Sequence, residues 1–217
     1  YSKKKMIYVP NGYDLNVYKY IQPKYHTIRK KFKIKSKVPL IGTVARYHPQ
    51  KDHKLLLNTL SVLKKKKIDF FCILAGPNIN TKNKALTSII HKLGLLKNIK
   101  LLDNVKNISK IMSEIDIHIL ASSHGEGFPN VVAEAMACRS PCIVTNVGDS
   151  SIIVGKTGWV VPPKNVKKLA NVTLKAIKEI KTKKWKKRSY NARLRIKNNF
   201  NIYKMVKNYN RIWKSVI

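Results

Sequence analysis

Residues 116–137, DIHILASSHGEGFPNVVAEAMA, read as a strand, a loop and a helix from their pattern alone. The apolar run 116–121 predicts a buried strand, and the alanine- and valine-rich end of the segment predicts a helix. Between them, Gly125 and Gly127 let the backbone turn tightly and approach a ligand without a Cβ in the way, and Pro129 suits a first helical position. A helix that begins at such a loop points free N–H groups and the positive end of its dipole toward it, which favours a phosphate-bearing ligand.

Short apolar runs and amphipathic runs alternate along the rest of the chain. Strands separated by helices in this way imply an α/β fold, a Rossmann-like parallel sheet with helices on both faces. Two further helical patterns, at 183–197 and 201–216, close the chain. The predicted strands are 38–44, 69–75, 99–102, 116–121, 141–145 and 159–161, and the predicted helices between them are 53–66, 81–94, 107–114, 129–138 and 166–180.

Three segments rich in glycine or charged residues follow predicted strands, at 45–52, 75–77 and 122–130. The carboxyl ends of parallel strands meet at one edge of the sheet, where ligands collect, so we expect these segments to lie close together. Arg46 and Lys51 would then face the helix that follows the loop around Glu126, which we call the acidic loop. Two cations opposite a helix N-terminus form an electrostatic clamp suited to a diphosphate. A solvated basic loop is the alternative in a chain this rich in lysine.

Glu126 and Glu134 are two carboxylates close in sequence, as in the catalytic pair of a glycosidase. A retaining pair holds its carboxyl groups about 5–5.5 Å apart. The helix between Pro129 and Glu134 rises by about 7.5 Å, and Glu126 lies further out, which disfavours that pairing. Each carboxylate can accept hydrogen bonds from a vicinal diol, so the two are predicted to serve a sugar and a ribose at opposite ends of one ligand. The alternatives are a loop turn for Glu126 and a solvated helix face for Glu134.

The composition is strongly basic, with 45 Lys and Arg residues against 10 Asp and Glu and a formal net charge of +35. Such an imbalance suits nucleic acid, an anionic membrane or an acidic substrate. However, 38 of the basic residues are lysine, whereas sequence-specific nucleic-acid readers favour arginine for its bidentate contacts. The charge is therefore interpreted mainly as a solvated lysine-rich surface, and nucleic acid is not expected as a partner.

The cysteines and histidines indicate no metal centre. Cys72, Cys138 and Cys142 each lie in an apolar stretch, so buried, reduced thiols are expected. His118 alternates within an apolar strand and is predicted to be a core residue, and His124 is predicted to lie on the loop surface. The six histidines show neither metal-ligand spacing nor a Ser–His–Asp order. No apolar run approaches the roughly 18 residues of a membrane-spanning helix.

Several segments, taken in order, resemble the C-terminal, donor-binding half of a family 4 (group 1) retaining glycosyltransferase of GT-B fold. VPNGYD at 9–14 is similar to the family's Pro-Asn-Gly-x-Asp segment, and Gly42 to Arg46 with Lys51 resembles its Gly-x-x-x-Arg…Lys diphosphate clamp. Residues 122–134 resemble its Glu-x7-Glu segment. The similarity spans residues 7–180 and continues through PCIVT at 141–145, GDS at 148–150 and TGWVVPP at 157–163.

The resemblance implies roles for individual residues. Arg46 and Lys51 would hold the donor diphosphate and stabilise the departing nucleotide, so that no metal or other cofactor is required. Glu126 would contact the hydroxyls of the donor sugar, and these three residues are the expected catalytic ones. Glu134 would bind the ribose. The other expected donor-binding residues are Gly76 and Val105 near the nucleobase, and Gly127, Phe128, Pro129, Asn130 and Val131 at the helix start.

By the same resemblance, the chain is expected to be a hexosyltransferase-type enzyme. It would move a sugar, with retention, from a nucleotide-sugar to a glycan or lipid-linked acceptor in cell-surface polysaccharide synthesis. Residues 38–180 would be the nucleotide-sugar-binding domain, with basic helices at 181–217 packing back on it. Residues 1–37 would be a remnant or linker from an N-terminal acceptor domain that is missing, and the sequence, which starts at Tyr1 without a methionine, is expected to be a fragment. The enzyme is expected in the cytoplasm, in peripheral contact with the anionic inner face of the membrane.

Two positions depart from the family pattern. Arg139 stands where a small residue is usual, and GDS at 148–150 stands where Gly-Gly is more frequent. Two other functions remain alternatives: a non-enzymatic basic module that binds nucleic acid or an anionic membrane, and an inactive remnant that retains nucleotide affinity. A Rossmann dehydrogenase is disfavoured because no Gly-x-Gly-x-x-Gly follows the first strand.

Overall fold

The computed structural model describes residues 6–25 and 27–215. In this part of the chain six strands form one sheet: β1 (Leu40–Val44), β2 (Phe71–Ala75), β3 (Ile99–Leu101), β4 (Ile117–Leu120), β5 (Cys142–Thr145) and β6 (Trp159–Val161). Their order across the sheet is β3-β2-β1-β4-β5-β6, and all pairs are parallel. The α/β, Rossmann-like prediction is confirmed.

The order of the strands reverses at the centre of the sheet. From β1 the chain moves outward through β2 and β3, then returns so that β4 pairs with the other side of β1, with Ile41 opposite Ile117 and Gly42 opposite His118. At such a reversal the loops after the two adjacent strands diverge and leave a crevice between them. The loops after β1 and β4 border this crevice, which fixes where a ligand can enter.

Nine helices surround the sheet in the described residues. They are α1 (Ile28–Lys31), α2 (His53–Lys65), α3 (Lys84–Lys92), α4 (Ile108–Glu114), α5 (Asn130–Ala137), α6 (Ser150–Val154), α7 (Val166–Glu179), α8 (Lys183–Asn199) and α9 (Ile202–Lys214). None of them is both long and apolar enough to cross a membrane. The sequence does not predict α1 and α6, because with four and five residues they are too short to show a helical period. Residues 1–5, 26, 216 and 217 of the predicted end segments and terminal helix lie outside the described residues.

Apolar helix faces cover both faces of the sheet, as predicted. On one face α2 and α7 bury Leu57 and Leu169 in a cluster with side chains of β1 and β2. On the other, α5 and α8 bury Met136 and Ile196 together with residues of β4 and β5. The three cysteines are also buried and free, as predicted: Cys72, Cys138 and Cys142.

Residues before β1 and after α7 pack against each other and against the sheet domain. Tyr13 is buried, and its backbone N–H donates to the Phe200 carbonyl at 2.8 Å. The Arg193 guanidinium donates to the carbonyl oxygens of Tyr18 and Ala137, which joins α8 both to the N-terminal segment and to the end of α5. The N-terminal segment therefore lies beside the helix that begins at the crevice.

Candidate functional site

The loops after β1 and β4 and the first turn of α5 enclose a cleft of about 430 Å³ at the carboxyl edge of the sheet. We call it the β1–β4 cleft. It lies where the strand-order reversal leads one to expect a ligand. Three further lining residues are Val44, Ala45 and Gln50. The cleft also brings together seven of the residues predicted for the site: Arg46, Lys51, Glu126, Phe128, Pro129, Asn130 and Val131.

Glu126 lies in the wall of this cleft, held by two donors. The Lys51 ammonium donates to its Oε1 at 2.6 Å, and the Ser122 hydroxyl donates to the same oxygen at 2.5 Å. Only 6% of the Glu126 side chain and 15% of the Lys51 side chain are exposed, so salt and water screen the pair weakly. The sequence assigns Lys51 to a diphosphate and does not identify Ser122, because neither contact can be read from local pattern.

Gln50 ties the loop after β1 to the acidic loop after β4. Its side-chain amide donates to the Gly125 carbonyl at 2.6 Å, and its backbone carbonyl accepts from the N–H of Ser123 at 2.8 Å. These two bonds fix the distance between Lys51, the next residue, and Glu126. Sequence reasoning missed Gln50, since nothing distinguishes it from any polar loop residue.

The backbone of Gly148 packs closely against the backbone of the acidic loop. It has φ +54, and a Cβ there would lie 2.2 Å from the Glu126 carbonyl oxygen, so only glycine fits. The next residue, Asp149, donates its backbone N–H to the Gly127 carbonyl at 2.9 Å. The segment that departs from the usual Gly-Gly pair thus keeps a glycine at the position where the backbone approach requires one.

The start of α5 offers unsatisfied donors to the cleft. Pro129 is the N-cap residue, one position before the helix, and no side chain caps this end. No acceptor among the described residues meets the N–H groups of Asn130 and Val131, which are orphan donors at a helix start. The Asn130 side chain is fixed by the Tyr13 hydroxyl, which donates to its Oδ1 at 2.7 Å. The helix dipole adds partial positive charge at the same place.

Arg46 supplies the remaining positive charge of the cleft. It lies two residues after the end of β1 and is exposed, and no carboxylate among the described residues pairs with it. Arg46 and the α5 amides have no acceptor among the described residues, whereas Lys51 is paired with Glu126 and would have to share its ammonium between that carboxylate and an anion. A planar guanidinium suits bidentate contact with phosphate oxygens.

Four predicted site residues lie outside the cleft lining. Gly76 is buried behind it, where a Cβ would lie 2.4 Å from the Ala45 carbonyl oxygen. Val105 packs against the cluster that contains Ile111 and Ile115. The last two are Gly127, which is exposed next to the lining residues, and Glu134 in α5.

Glu134 lies one turn into α5 from Asn130, in contact with the N-terminal segment rather than with the cleft. Burial raises the pKa of its carboxyl group, and a hydrogen bond with the Tyr18 hydroxyl opposes that shift. Burial is the main cause that raises the pKa of the Tyr13 and Tyr18 hydroxyls, and the nearby charge of Glu134 raises both further. Glu134 therefore sits in a partly desolvated pocket, not on a solvated helix face.

No histidine in the described part of the chain lines the cleft. His118 is fully buried in β4, as predicted, and its Nε2 accepts from the N–H of Val44 at 3.2 Å. His124 is exposed, also as predicted. Across residues 6–25 and 27–215, no three His, Cys, Asp or Glu side chains are grouped in a way that could hold a metal ion.

A family model described as Glycosyl transferases group 1 matches residues 24–195, most of the chain. Among curated proteins, the capsular polysaccharide biosynthesis glycosyltransferase CapM of Staphylococcus aureus is 26% identical over 163 residues, which cover 74% of this chain and 42% of CapM.

Solved structures of glycosyltransferases share the fold. A glycosyltransferase from Rickettsia africae ESF-5 superposes with a TM-score of 0.90 at 26% identity, over 99% of this chain and 58% of that one. HepE of Anabaena, solved in complex with UDP, superposes with a TM-score of 0.85 at 24% identity, over 95% of this chain and 57% of HepE. The fold is that of the C-terminal part of GT-B glycosyltransferases, and the chain spans less than three fifths of each of these relatives.

Proposed function

The chain belongs to the Glycosyl transferases group 1 family, and on that premise we propose that its β1–β4 cleft binds the nucleotide-sugar donor of a hexosyl transfer. The observation that carries the proposal is the meeting, in one cleft, of an unpaired guanidinium, free helix N–H groups and a largely buried carboxylate. The first two suit a diphosphate, and the third suits sugar hydroxyls.

The diphosphate and the sugar of the donor can be assigned to separate groups of the cleft. The diphosphate would lie between Arg46 and the first amides of α5, where the charge and the dipole act together. The sugar would lie over Gly127, with its hydroxyls donating to Glu126. Lys51 would keep its contact with Glu126 and direct another N–H of its ammonium to a phosphate oxygen. The ribose at Glu134 and the base near Gly76 and Val105 rest on the family resemblance.

In the transfer step the protein would stabilise the charge that develops on the departing nucleotide. Arg46, Lys51 and the amides of Asn130 and Val131 are fixed positive groups aimed at that leaving group, and preorganised donors of this kind lower the barrier. Glu126 would orient the sugar for attack by the acceptor on the face that the nucleotide leaves, giving retention. No metal or other cofactor is part of the proposal.

Two comparisons support the chemical class of the ligands. HepE is described in complex with UDP, which favours a nucleoside diphosphate as part of the ligand. CapM is named for capsular polysaccharide biosynthesis, which favours a glycan or lipid-linked acceptor and a role in cell-surface polysaccharide synthesis. The acceptor would bind to a second, N-terminal domain, and the enzyme would act in the cytoplasm, in peripheral contact with the anionic inner face of the membrane.

Titration calorimetry with UDP-glucose and GDP-mannose tests the proposal. The wild-type chain is expected to bind at least one of them. Arg46→Gln should weaken that affinity about 10- to 100-fold, the loss expected when one charge-assisted contact to phosphate is removed. Lys54→Gln is the matched control, because it also removes one positive charge, and Lys54 is exposed on α2 outside the cleft lining. Equal losses in both variants would mean that only overall charge matters, and no binding by folded wild type would end the proposal.

A further inference from the structure

We infer that Ser122 is a positioning residue that holds the Glu126 carboxylate so that one of its oxygens faces the donor sugar. This inference rests on the proposed function of the β1–β4 cleft. Ser122 is the residue after the apolar run of β4, and its hydroxyl, which is fully buried, donates to Oε1 of Glu126 at 2.5 Å.

The two oxygens of Glu126 are in different situations. Oε1 accepts from both Lys51 and Ser122. A carboxylate oxygen has two lone-pair sites, so these two donors saturate it. Among the described residues, no donor meets Oε2. A sugar hydroxyl in the cleft would therefore find Oε2 as the available acceptor, in a direction set by the two bonds to its neighbour.

Both donors are needed to fix that direction. The Lys51 ammonium is a compact charge on a flexible stem, and it attracts a carboxylate without constraining its rotation. The Ser122 hydroxyl adds a second, differently directed bond from a rigid position. Ser122 itself is anchored, because its carbonyl oxygen accepts from Thr145 Oγ1, at the end of β5, at 2.6 Å.

Loss of the contact with Ser122 should weaken binding of the donor sugar and leave binding of the nucleotide unchanged. Ser122 does not line the cleft, and its hydroxyl hydrogen-bonds Glu126 and none of the groups assigned to the diphosphate, which are Arg46, Lys51 and the α5 amides. Without its hydroxyl, Lys51 alone would hold Glu126, and the carboxylate could turn away from the sugar. The affinity for a nucleoside diphosphate would stay the same, while the affinity for the corresponding nucleotide-sugar would fall.

The experiment compares dissociation constants of UDP with UDP-glucose, and of GDP with GDP-mannose, by calorimetry. Ser122→Ala should raise the ratio of the sugar-bearing to the sugar-free constant about three- to tenfold, the range for one ordinary hydrogen bond, because Lys51 still holds the carboxylate. The constant for the diphosphate should stay within about twofold. Ser122→Cys, a weaker donor of similar size, should give a smaller rise. Ser123→Ala removes the neighbouring hydroxyl, which lies 2.8 Å from His124 Nδ1 and only 3.5 Å from the Gln50 carbonyl oxygen. The backbone bond from Ser123 to Gln50 is kept, so neither constant should change.

A second comparison separates positioning from a general structural role. On a Glu126→Ala background, Ser122→Ala should change the ratio no further, because the residue through which it acts is gone. An unchanged ratio in Ser122→Ala, equal losses of both ligands, or a full additional effect on the Glu126→Ala background would each overturn the inference. If wild type binds neither diphosphate nor nucleotide-sugar, the proposed function fails first and the inference falls with it.

Discussion

At the scale of single residues, the main buried interaction of the cleft is the ion pair between Lys51 and Glu126. Both side chains are largely shielded from water, at 15% and 6% exposure. If one partner is removed, the other is left as a buried charge without a counter-ion, and this destabilises the fold. The pair therefore satisfies two groups that a ligand would otherwise have to neutralise.

Lys51→Met is expected to lower the free energy of unfolding by about 1–3 kcal/mol, since Glu126 keeps its charge and loses its counter-ion. Adding Glu126→Gln to Lys51→Met removes the uncompensated charge and should restore most of that loss. Urea denaturation of the two variants and of wild type measures both steps. A double variant as unstable as Lys51→Met would contradict this account of the pair.

Two glycines of the acidic loop region should respond oppositely to the same substitution. A Cβ on Gly127 would meet no protein atom within 4 Å, whereas a Cβ on Gly148 would lie 2.2 Å from the Glu126 carbonyl oxygen. Gly127→Ala should leave the unfolding transition unchanged and weaken donor binding, because the added methyl projects into open space where a ligand would approach. Gly148→Ala should destabilise the fold by about 1–3 kcal/mol through backbone strain at positive φ.

Thermal melts and donor titration, run on both variants, check this contrast. A destabilised Gly127→Ala, or a Gly148→Ala that melts like wild type, would show that the loop backbone relaxes more freely than its contacts indicate.

At the scale of elements, α5 and α2 begin in different ways, and the difference matches their roles. α5 has no side-chain cap, so its first N–H groups remain open to a ligand. α2 is capped by Asp52, whose carboxylate accepts from the N–H of Leu55 at 2.9 Å. The helix that begins at the cleft keeps its first donors free, and the helix that begins outside the cleft lining satisfies one of them internally.

Asp52 caps α2 from a left-handed backbone conformation, with φ 43. Asp52→Ala should cost about 1–2 kcal/mol of stability, because it loses the cap and keeps the strain. Asp52→Gly should cost less, since glycine adopts positive φ freely, and Asp52→Asn should be close to wild type. Urea denaturation of the three variants gives the order, and an alanine variant as stable as the asparagine one would rule out a capping role.

At the scale of the whole molecule, two buried histidines make the stability of the folded state depend on pH. Burial, helped by the Lys51 charge, lowers the pKa of His53 to about 4, and burial lowers the pKa of His118 to about 3. In the unfolded chain both titrate near the usual value of about 6.5. The unfolded state therefore binds more protons below pH 6.5, and stability is lost as the pH falls from there toward the folded-state values.

His53→Phe should reduce this acid sensitivity. His53 is buried against Tyr47, with ring centroids 5.3 Å apart, and no group in the described part of the chain hydrogen-bonds its ring nitrogens. Phenylalanine keeps the packing and removes the titration, so the slope of unfolding free energy between pH 6.5 and 4 should fall by up to about 1.4 kcal/mol per pH unit. Urea denaturation across that range measures it, with His91→Phe on the exposed face of α3 as the control. Equal slopes in wild type and His53→Phe would contradict the assignment.

The alternation of apolar strands and amphipathic helices, read along the chain, determined the parallel sheet to within two residues at each strand end. It also located the edge of the sheet where the cleft lies, because the carboxyl ends of parallel strands lie at one edge whatever the side chains are. The strand order of the folded sheet makes β1 and β4 neighbours. Arg46, Lys51, Glu126 and the start of α5 could be predicted for this reason. Such patterns depend on neighbours a few residues apart, and the sequence displays those directly.

Tertiary structure alone decided which of these groups touch. Lys51 and Glu126 are 75 residues apart in sequence, as are Gln50 and Gly125, and no periodicity links them. The bond from Ser122 to Glu126 spans four residues, but it exists only because the loop folds back over a glycine at position 148. The position of Glu134 beside Tyr18, away from the cleft lining, depends on how the N-terminal segment packs on α5. Side-chain pairing at these distances is set by the closure of the fold, which local sequence does not encode.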